Sequence, residues 1–314
     1  KKHFFITNEG INFLHILSDD WNSSIFGKSA IINCFYLNIF ENIFKEMPTQ
    51  DKGLYLMENQ PWERAMLYAW HKNNHGYIIG TVHTVVSYWS LRLFCHPNFE
   101  VSNMVLPHAI ALNGMAAFET YCDIKSPVED IVKVEALRYL YLMDIYKKQK
   151  LKSEDAIRLL VLTDYDEEIV NSQIRLLKEF VRLGEHKVQV LIKSHPLCPI
   201  KKFKYHGVDF GVTSIPIGDL SESFDVAFTS NATAAAVDVY LTGKKTLVMH
   251  DCSSFNMSPL RGYKDVSFIK SAVEMSTCLS DLSATKNTFV DQEFFYLDPN
   301  LPRWRELLLN QKPR

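Results

Sequence analysis

The stretch RLLVLTDYDEEIVNSQIRLLKEFVRLGEHKVQVLIKSHP, residues 158–196, decides the fold. Arg158–Thr163 is a short apolar run of strand length, Glu167–Leu183 is an amphipathic helix, and Lys187–Lys193 is a second apolar run. The alternation continues downstream. Asp225–Thr229 reads as a strand, Ala232–Thr242 as a helix and Lys245–Met249 as a strand, with a short strand expected at Ser214–Ile217. Strands alternating with helices predict parallel βαβ units and a doubly wound α/β sheet.

Upstream, Ser29–Glu46 has the apolar spacing of a helix that ends before Pro48. Gly53–Met57 then reads as a strand and Glu58-Asn59-Gln60 as a tight loop. Pro61 opens a helix running through Trp62–Lys72, since its missing N–H would be unpaired in a first turn anyway. Tyr77–Val86 is a β-branched buried strand, and Leu137–Lys150 a helix whose closing KKQK suits the negative end of its dipole. The polar LKSED that follows is the expected linker. It divides the chain into an N-terminal α/β domain, 1–152, a C-terminal α/β domain, 153–297, and a terminal helix, 298–314.

With 47% hydrophobic and 22% charged residues, the 314-residue chain can bury a core and is not a disordered sequence. A net charge of −2 argues against a strongly basic nucleic-acid binder, and no nucleic-acid partner is expected. The six cysteines (34, 95, 122, 198, 252, 278) are scattered without a CxxC pair, which fits a reducing cytosol. The longest apolar runs, about ten residues, fall short of the ~20 of a membrane-spanning helix. No signal peptide is visible, so a cytoplasmic location is expected; the sequons at Asn22, Asn231 and Asn256 would matter only outside the cytosol.

Ligands of open parallel sheets bind outside the carboxyl ends of the strands. At one such end, Thr229-Ser230-Asn231-Ala232-Thr233 leads into a helix of small residues, where hydroxyls and free N–H groups suit an anion. An ordinary helix cap would use the same residues. At the preceding strand end His195 can donate to a phosphate and Pro196 fixes the turn that presents it, although a lone loop histidine is common. Together the two ends read as a nucleotide phosphate clamp. Neither GxGxxG nor GxxxxGK[ST] occurs, so dinucleotide-fold dehydrogenases and P-loop enzymes lose their main support.

In the first half, Glu58 falls where a buried strand stops and is a candidate general base with a raised pKa, or a carboxylate facing the next helix. His83 takes the matching place after the next apolar run, either at a cleft or as a core histidine. Asp164-Tyr165-Asp166 follows the first strand of the second half and offers a cleft carboxylate as acid, base or nucleophile. A charged helix start explains it equally, and no metal is expected there. The basic run Lys201-Lys202-Phe203-Lys204 reads as a solvated loop that could touch anionic lipid or acceptor.

ENQPWERAMLYAW, HGYIIGTVHTVVSYWSLRLF, the IKSHP turn, the TSNAT loop and LDPNLPRWRELL together resemble bacterial surface-carbohydrate biosynthesis proteins, the GT-B-type glycosyltransferases of lipopolysaccharide and O-antigen loci. The resemblance covers residues 54–94 and 158–309, and extends more loosely to CMP-sugar-using sialyltransferases and Kdo transferases. It implies two facing Rossmann-like domains with an interdomain cleft and no metal or other cofactor beyond a nucleotide-sugar donor, here CMP-linked nonulosonic acid or Kdo. By the same likeness His195, Pro196, Ser230, Asn231 and Thr233 would bind the donor, and a glycan or lipid-linked glycan acceptor would approach Glu58 and His83. A peripheral contact with the cytoplasmic face of the inner membrane is implied too. The acidic Gly-containing motif that carries the base in one sialyltransferase group has no match, so Glu58 is assigned by position. In a retaining enzyme Asp164 or Asp166 would be the nucleophile. A UDP- or GDP-hexose transferase, a sugar-nucleotide epimerase and a non-catalytic binding module are the competing readings.

Overall fold

The computed structural model describes residues 10, 12–87, 89, 104–123, 126–146, 156–201, 205–250, 255–280 and 294–309. These fall into two compact units. One holds the described residues up to Val82 and those of 104–111 and 126–132; the other holds those of 83–89, 112–123 and 133–309. Residue 152, the expected boundary, lies outside the described residues, as do 147–150 of the expected Leu137–Lys150 helix.

The first unit is built on a four-stranded sheet in sequential order, β1 (Lys52–Leu56), β2 (Tyr77–Thr81), β3 (Ala109–Leu112) and β4 (Asp130–Lys133). The β1–β2 and β2–β3 pairs are parallel. Gly80 sits mid-strand because a Cβ there would come within 2.7 Å of Met57 Sδ and 2.9 Å of the Tyr55 hydroxyl. Two helices, α1 (Leu14–Phe26) and α2 (Lys28–Glu46), precede the sheet, and α3 (Pro61–Lys72) joins β1 to β2. Aromatic residues bind α2 to α3: Phe40 meets Trp62 at 6.3 Å and Phe44 meets Trp70 edge-on at 5.3 Å. The strand expected to reach Val86 ends at Thr81.

The second unit contains a six-stranded sheet whose recorded pairs are all parallel. Its strands are β5 (Ile157–Leu162), β6 (Val188–Lys193), β7 (Phe210–Thr213), β8 (Val226–Thr229), β9 (Lys245–Met249) and β10 (Val266–Ile269). Their spatial order is β7-β6-β5-β8-β9-β10, which by appearance is 3-2-1-4-5-6, the order of a Rossmann sheet. β5 and β8 are nearly continuous apolar runs because both faces are covered. The helix α6 (Glu167–Leu183) lays Val170, Ile174, Leu177 and Phe180 on one face of the sheet; its start is capped by Asp166 and its end by Gly184 in the left-handed region, φ 68°. On the other face lie α7 (Ile217–Leu220) and α8 (Ala235–Tyr240), packed through Ile217, Leu220 and Val239.

Three sequence expectations are corrected here. The short strand falls at Phe210–Thr213, not Ser214–Ile217: the Ser214 and Ile215 carbonyls accept the Lys193 ammonium instead of ladder bonds, and Pro216 starts α7. α8 is six residues, shorter than Ala232–Thr242, since Thr233 Oγ1 takes the Ala235 N–H and Gly243 turns left-handed at φ 73°. The segment after Leu137 makes a 3-10 turn, Leu137–Tyr139, followed by the short α5 (Leu142–Tyr146), instead of one long helix.

Sequence reading missed α4 (Met115–Asp123) and α9 (Ala272–Ser280) but anticipated the last helix, α10 (Pro302–Leu309). The α10 start is held by Glu135, whose buried carboxylate accepts the Arg303 and Trp304 N–H groups and the Arg303 guanidinium, each at 3.1 Å.

Candidate active site

In an open α/β sheet the ligand crevice opens where the strand order reverses. In the second unit that point lies between β5 and β8. β5 ends in Thr163-Asp164 and β8 in Ser230-Asn231, and side chains join them. Ser230 donates its hydroxyl to Asp164 Oδ2 at 2.6 Å, with both residues buried. Thr163 Oγ1 accepts the backbone N–H of His195 at 3.1 Å. Two consecutive residues of one strand end therefore hold both neighbouring strand ends.

His195-Pro196-Leu197-Cys198 is a tight turn closed by the Cys198 N–H on the His195 carbonyl at 3.0 Å, with proline where its fixed φ suits a turn. His195 Nδ1 accepts the Leu197 N–H at 3.2 Å, so the neutral ring carries its proton on Nε2 and presents that nitrogen as a donor. Asn231 is fixed by donating from Nδ2 to the Phe255 carbonyl at 2.7 Å, while its buried Oδ1 accepts no bond among the described residues. Thr233 is half-buried and contributes to the turn before α8.

Asp164 and Asp166 carry structural bonds. Asp164 Oδ1 accepts the N–H groups of Tyr165 and Asp166 at 2.8 and 3.2 Å, and Asp166 Oδ1 accepts those of Glu168 and Ile169 at the start of α6. Among the described residues no group of three His, Cys, Asp or Glu side chains could hold a metal ion.

A cavity of about 900 Å³ opens in the same unit beside the end of β6. Arg138, Tyr141, Lys193, Asp219 and Asp238 line it, and Tyr141 donates to Asp238 Oδ1 at 2.7 Å. Burial pushes the Asp238 carboxyl above its ordinary range against the pull of Tyr141 and Arg138. Burial also raises the Tyr141 phenol, helped by the Asp238 charge. The volume is that of a small-molecule site. Sequence reasoning missed it because its residues come from segments far apart in the chain.

In the first unit Glu58, Asn59 and Gln60 form the turn between β1 and α3. The carboxylate that builds this turn is that of Glu63: its oxygens accept the N–H groups of Glu58, Asn59 and Gln60 at 2.9, 3.0 and 3.1 Å, and the residue is 1% exposed. Asn59 is left-handed at φ 57°, and its side chain accepts from Arg64 at 3.1 Å. Glu58 itself is half-buried on the same turn, and His83, also half-buried, follows Val82 in the second unit. Of the nine candidate residues the structure gathers Asp164, Asp166, His195, Pro196, Ser230, Asn231 and Thr233 at three neighbouring strand ends of one sheet. Glu58 belongs to the first unit.

No protein-family model and no curated protein matches this chain. Solved structures do. A putative UDP-N-acetylglucosamine 2-epimerase from Listeria monocytogenes aligns with a TM-score of 0.56 at 14% identity, over 91% of this chain and 80% of that one. S. aureus MnaA with UDP gives 0.53 at 13%, over 89% and 80%. The calicheamicin glycosyltransferase CalG4 gives 0.52 at 12%, over 82% and 72%. At this identity the likeness is one of fold: the chain is an α/β protein with two parallel sheets and the GT-B fold.

Proposed function

We propose that this chain is a GT-B enzyme that binds a nucleotide sugar at the ends of β5, β6 and β8 and transfers the sugar to a glycan acceptor in bacterial surface-polysaccharide synthesis. The observation that carries this reading is the Thr163-Asp164 junction, which ties His195 and Ser230 together at the strand-order reversal. His195 Nε2–H and Thr233 would face the donor's phosphate, with Asn231 beside them, and Ser230 would hold the loop. Glu58 is the proposed general base and His83 an acceptor-side group. Asp164 and Asp166 support turns, which favours an inverting reaction with one base over a carboxylate nucleophile. Following the IKSHP and TSNAT likeness, the donor is a CMP-linked nonulosonic acid or Kdo, and no metal takes part. The acceptor is lipid-linked glycan at the cytoplasmic face of the inner membrane; most of the basic run expected to touch lipid, Lys202–Lys204, lies outside the described residues. Among the described residues no helix is long and apolar enough to cross a membrane.

A second reading, a sugar-nucleotide epimerase, is favoured by the fold shared with the Listeria protein and with S. aureus MnaA. Thermal melts against CMP, CDP, UMP, UDP and GDP, with and without magnesium, separate the donors. A nucleotide at a hundred times its Kd stabilises by about 2.7 kcal/mol. A metal-independent response to CMP supports the proposed donor, a response to UDP moves it, and silence across the panel overturns the nucleotide site. Conversion of a sugar nucleotide alone, followed by proton NMR, would establish the epimerase.

A further inference from the structure

The helix α2 carries two parallel ridges, and only one is covered. Tyr36, Phe40 and Phe44 stack along the helix at 6.4 and 6.0 Å and continue onto Trp62 and Trp70 of α3. One position round the helix, Ile31, Phe35, Ile39 and Ile43 form a second ridge that is exposed, Phe35 to 63% and Ile31 to 59%. Lys28 stands one turn before this ridge and Glu46 one turn after it, both exposed and within the same arc of about 120°. Ile25 and Phe26 extend the apolar surface at the α1–α2 corner.

We infer that this face binds a second copy of the chain, with two α2 helices antiparallel about a twofold axis level with residue 37. The spacing is self-complementary. In that register Phe35 lies opposite the partner copy's position 39, Ile31 opposite its position 43, and Lys28 opposite its position 46, so each end of the apolar seam closes on a pair of opposite charges. A closed twofold contact requires such self-complementarity. A face about 28 Å long buries a few hundred Å² per copy, and the α1 corner brings this toward the roughly 800 Å² per partner of a standard interface. A lipid surface fits less well: α1 and α2 carry Asp19, Asp20, Glu41 and Glu46 against Lys28 and Lys45, whereas interfacial helices present a basic polar face.

Sedimentation velocity of the whole chain, from about 1 to 100 μM, tests this, because a dimer forms by mass action. The expected result is a concentration-dependent species of twice the 36.3 kDa chain mass. Phe35→Glu should raise the dimer Kd about a hundredfold while the thermal melt of the dilute, monomeric protein stays unchanged, since an exposed residue is altered. Lys28→Glu should weaken association several-fold, and Lys28→Glu combined with Glu46→Lys should restore it, because the swap rebuilds both pairs. A monomer at every concentration, a dimer indifferent to Phe35→Glu, or a swap that fails to restore association overturns the inference. So does a monomer that co-sediments with anionic vesicles through Phe35.

Discussion

Ser230 donates to Asp164 across the strand-order reversal of the second sheet, and both residues are nearly inaccessible to solvent. This 2.6 Å bond joins two loops that are 66 residues apart in the chain. Ser230→Ala would leave a buried carboxylate oxygen without its donor, at a cost of about 1–3 kcal/mol in urea unfolding. Asp164→Ala should cost more, because it also frees the Tyr165 and Asp166 N–H groups. Equal losses in the two variants would mean that the Tyr165 and Asp166 N–H bonds add nothing, and a Ser230→Ala variant as stable as the parent would mean that the hydroxyl is not the partner that matters.

His195→Ala removes the proposed phosphate donor while the turn keeps its Cys198 closure. Titration calorimetry with the nucleotide identified by the melting panel should show a loss of about 1.5–3 kcal/mol, tenfold or more in Kd, for a hydrogen bond to a charged group. The stability of the free protein should change little. Unaltered affinity would remove His195 from the site.

Two glutamates on the β1–α3 turn should behave oppositely. Glu63→Gln puts an amide before three N–H donors and should destabilise by about 2–4 kcal/mol. Glu58→Gln should abolish sugar transfer without altering nucleotide affinity. Full turnover in Glu58→Gln would exclude it as the base.

Much of this architecture is legible in the sequence. The β5–α6–β6 unit has strong periodicity, a carboxylate before its helix and glycine after it, so its elements were readable to within a residue or so. By contrast, β3 is four small or aliphatic residues, AIAL, and β4 is DIVK, too short for alternation to register. The expected strand at Ser214–Ile217 failed because Lys193 claims its carbonyls from another strand, a contact no local pattern announces. The same limit hid the cavity: Tyr141 and Asp238 are 97 residues apart and meet only after folding. Glu63 was closer to view, since Gln60-Pro-Trp-Glu63 has the spacing of a capping box, but its neighbour Glu58 drew the chemical reading.

Arg158 pairs with Asp225 at the start of β5 and β8, with guanidinium bonds at 2.6 and 3.1 Å and a backbone N–H at 3.0 Å. Burial works to raise the Asp225 carboxyl, but the Arg158 bonds and charge outweigh it and hold the group below its usual range. A carboxyl depressed in the folded state stabilises above its unfolded value, about 3.9, and loses that contribution as pH falls through the folded value. Asp225→Asn should therefore be less stable than the parent at neutral pH, with the gap closing below about pH 4. Urea midpoints taken down the acid range check this; a constant gap would deny the pairing its electrostatic part.

The C-terminal helix hangs on one carboxylate. Glu135→Ala would strip α10 of both capped N–H groups and leave Arg303 unpaired, at about 3 kcal/mol or more. The variant should lose protection from proteolysis at residues 302–309 before the rest of the chain. Simultaneous loss everywhere would show α10 to be integral to a single cooperative unit.

The Glu63 turn also bears on where an anion can settle. Successive amides converging on a point are how βα turns attract phosphate, yet here the β1–α3 turn already houses a negative group of its own. The β5–α6 turn does the same with Asp164 and Asp166. In the proposed site the donor's phosphate would meet those carboxylates at the β5–α6 turn and, at the neighbouring β6 and β8 ends of the same sheet, an imidazole and hydroxyl-bearing residues instead. On that reading the resident carboxylates of the β5–α6 turn would leave the β6 and β8 ends as the places where the phosphate settles.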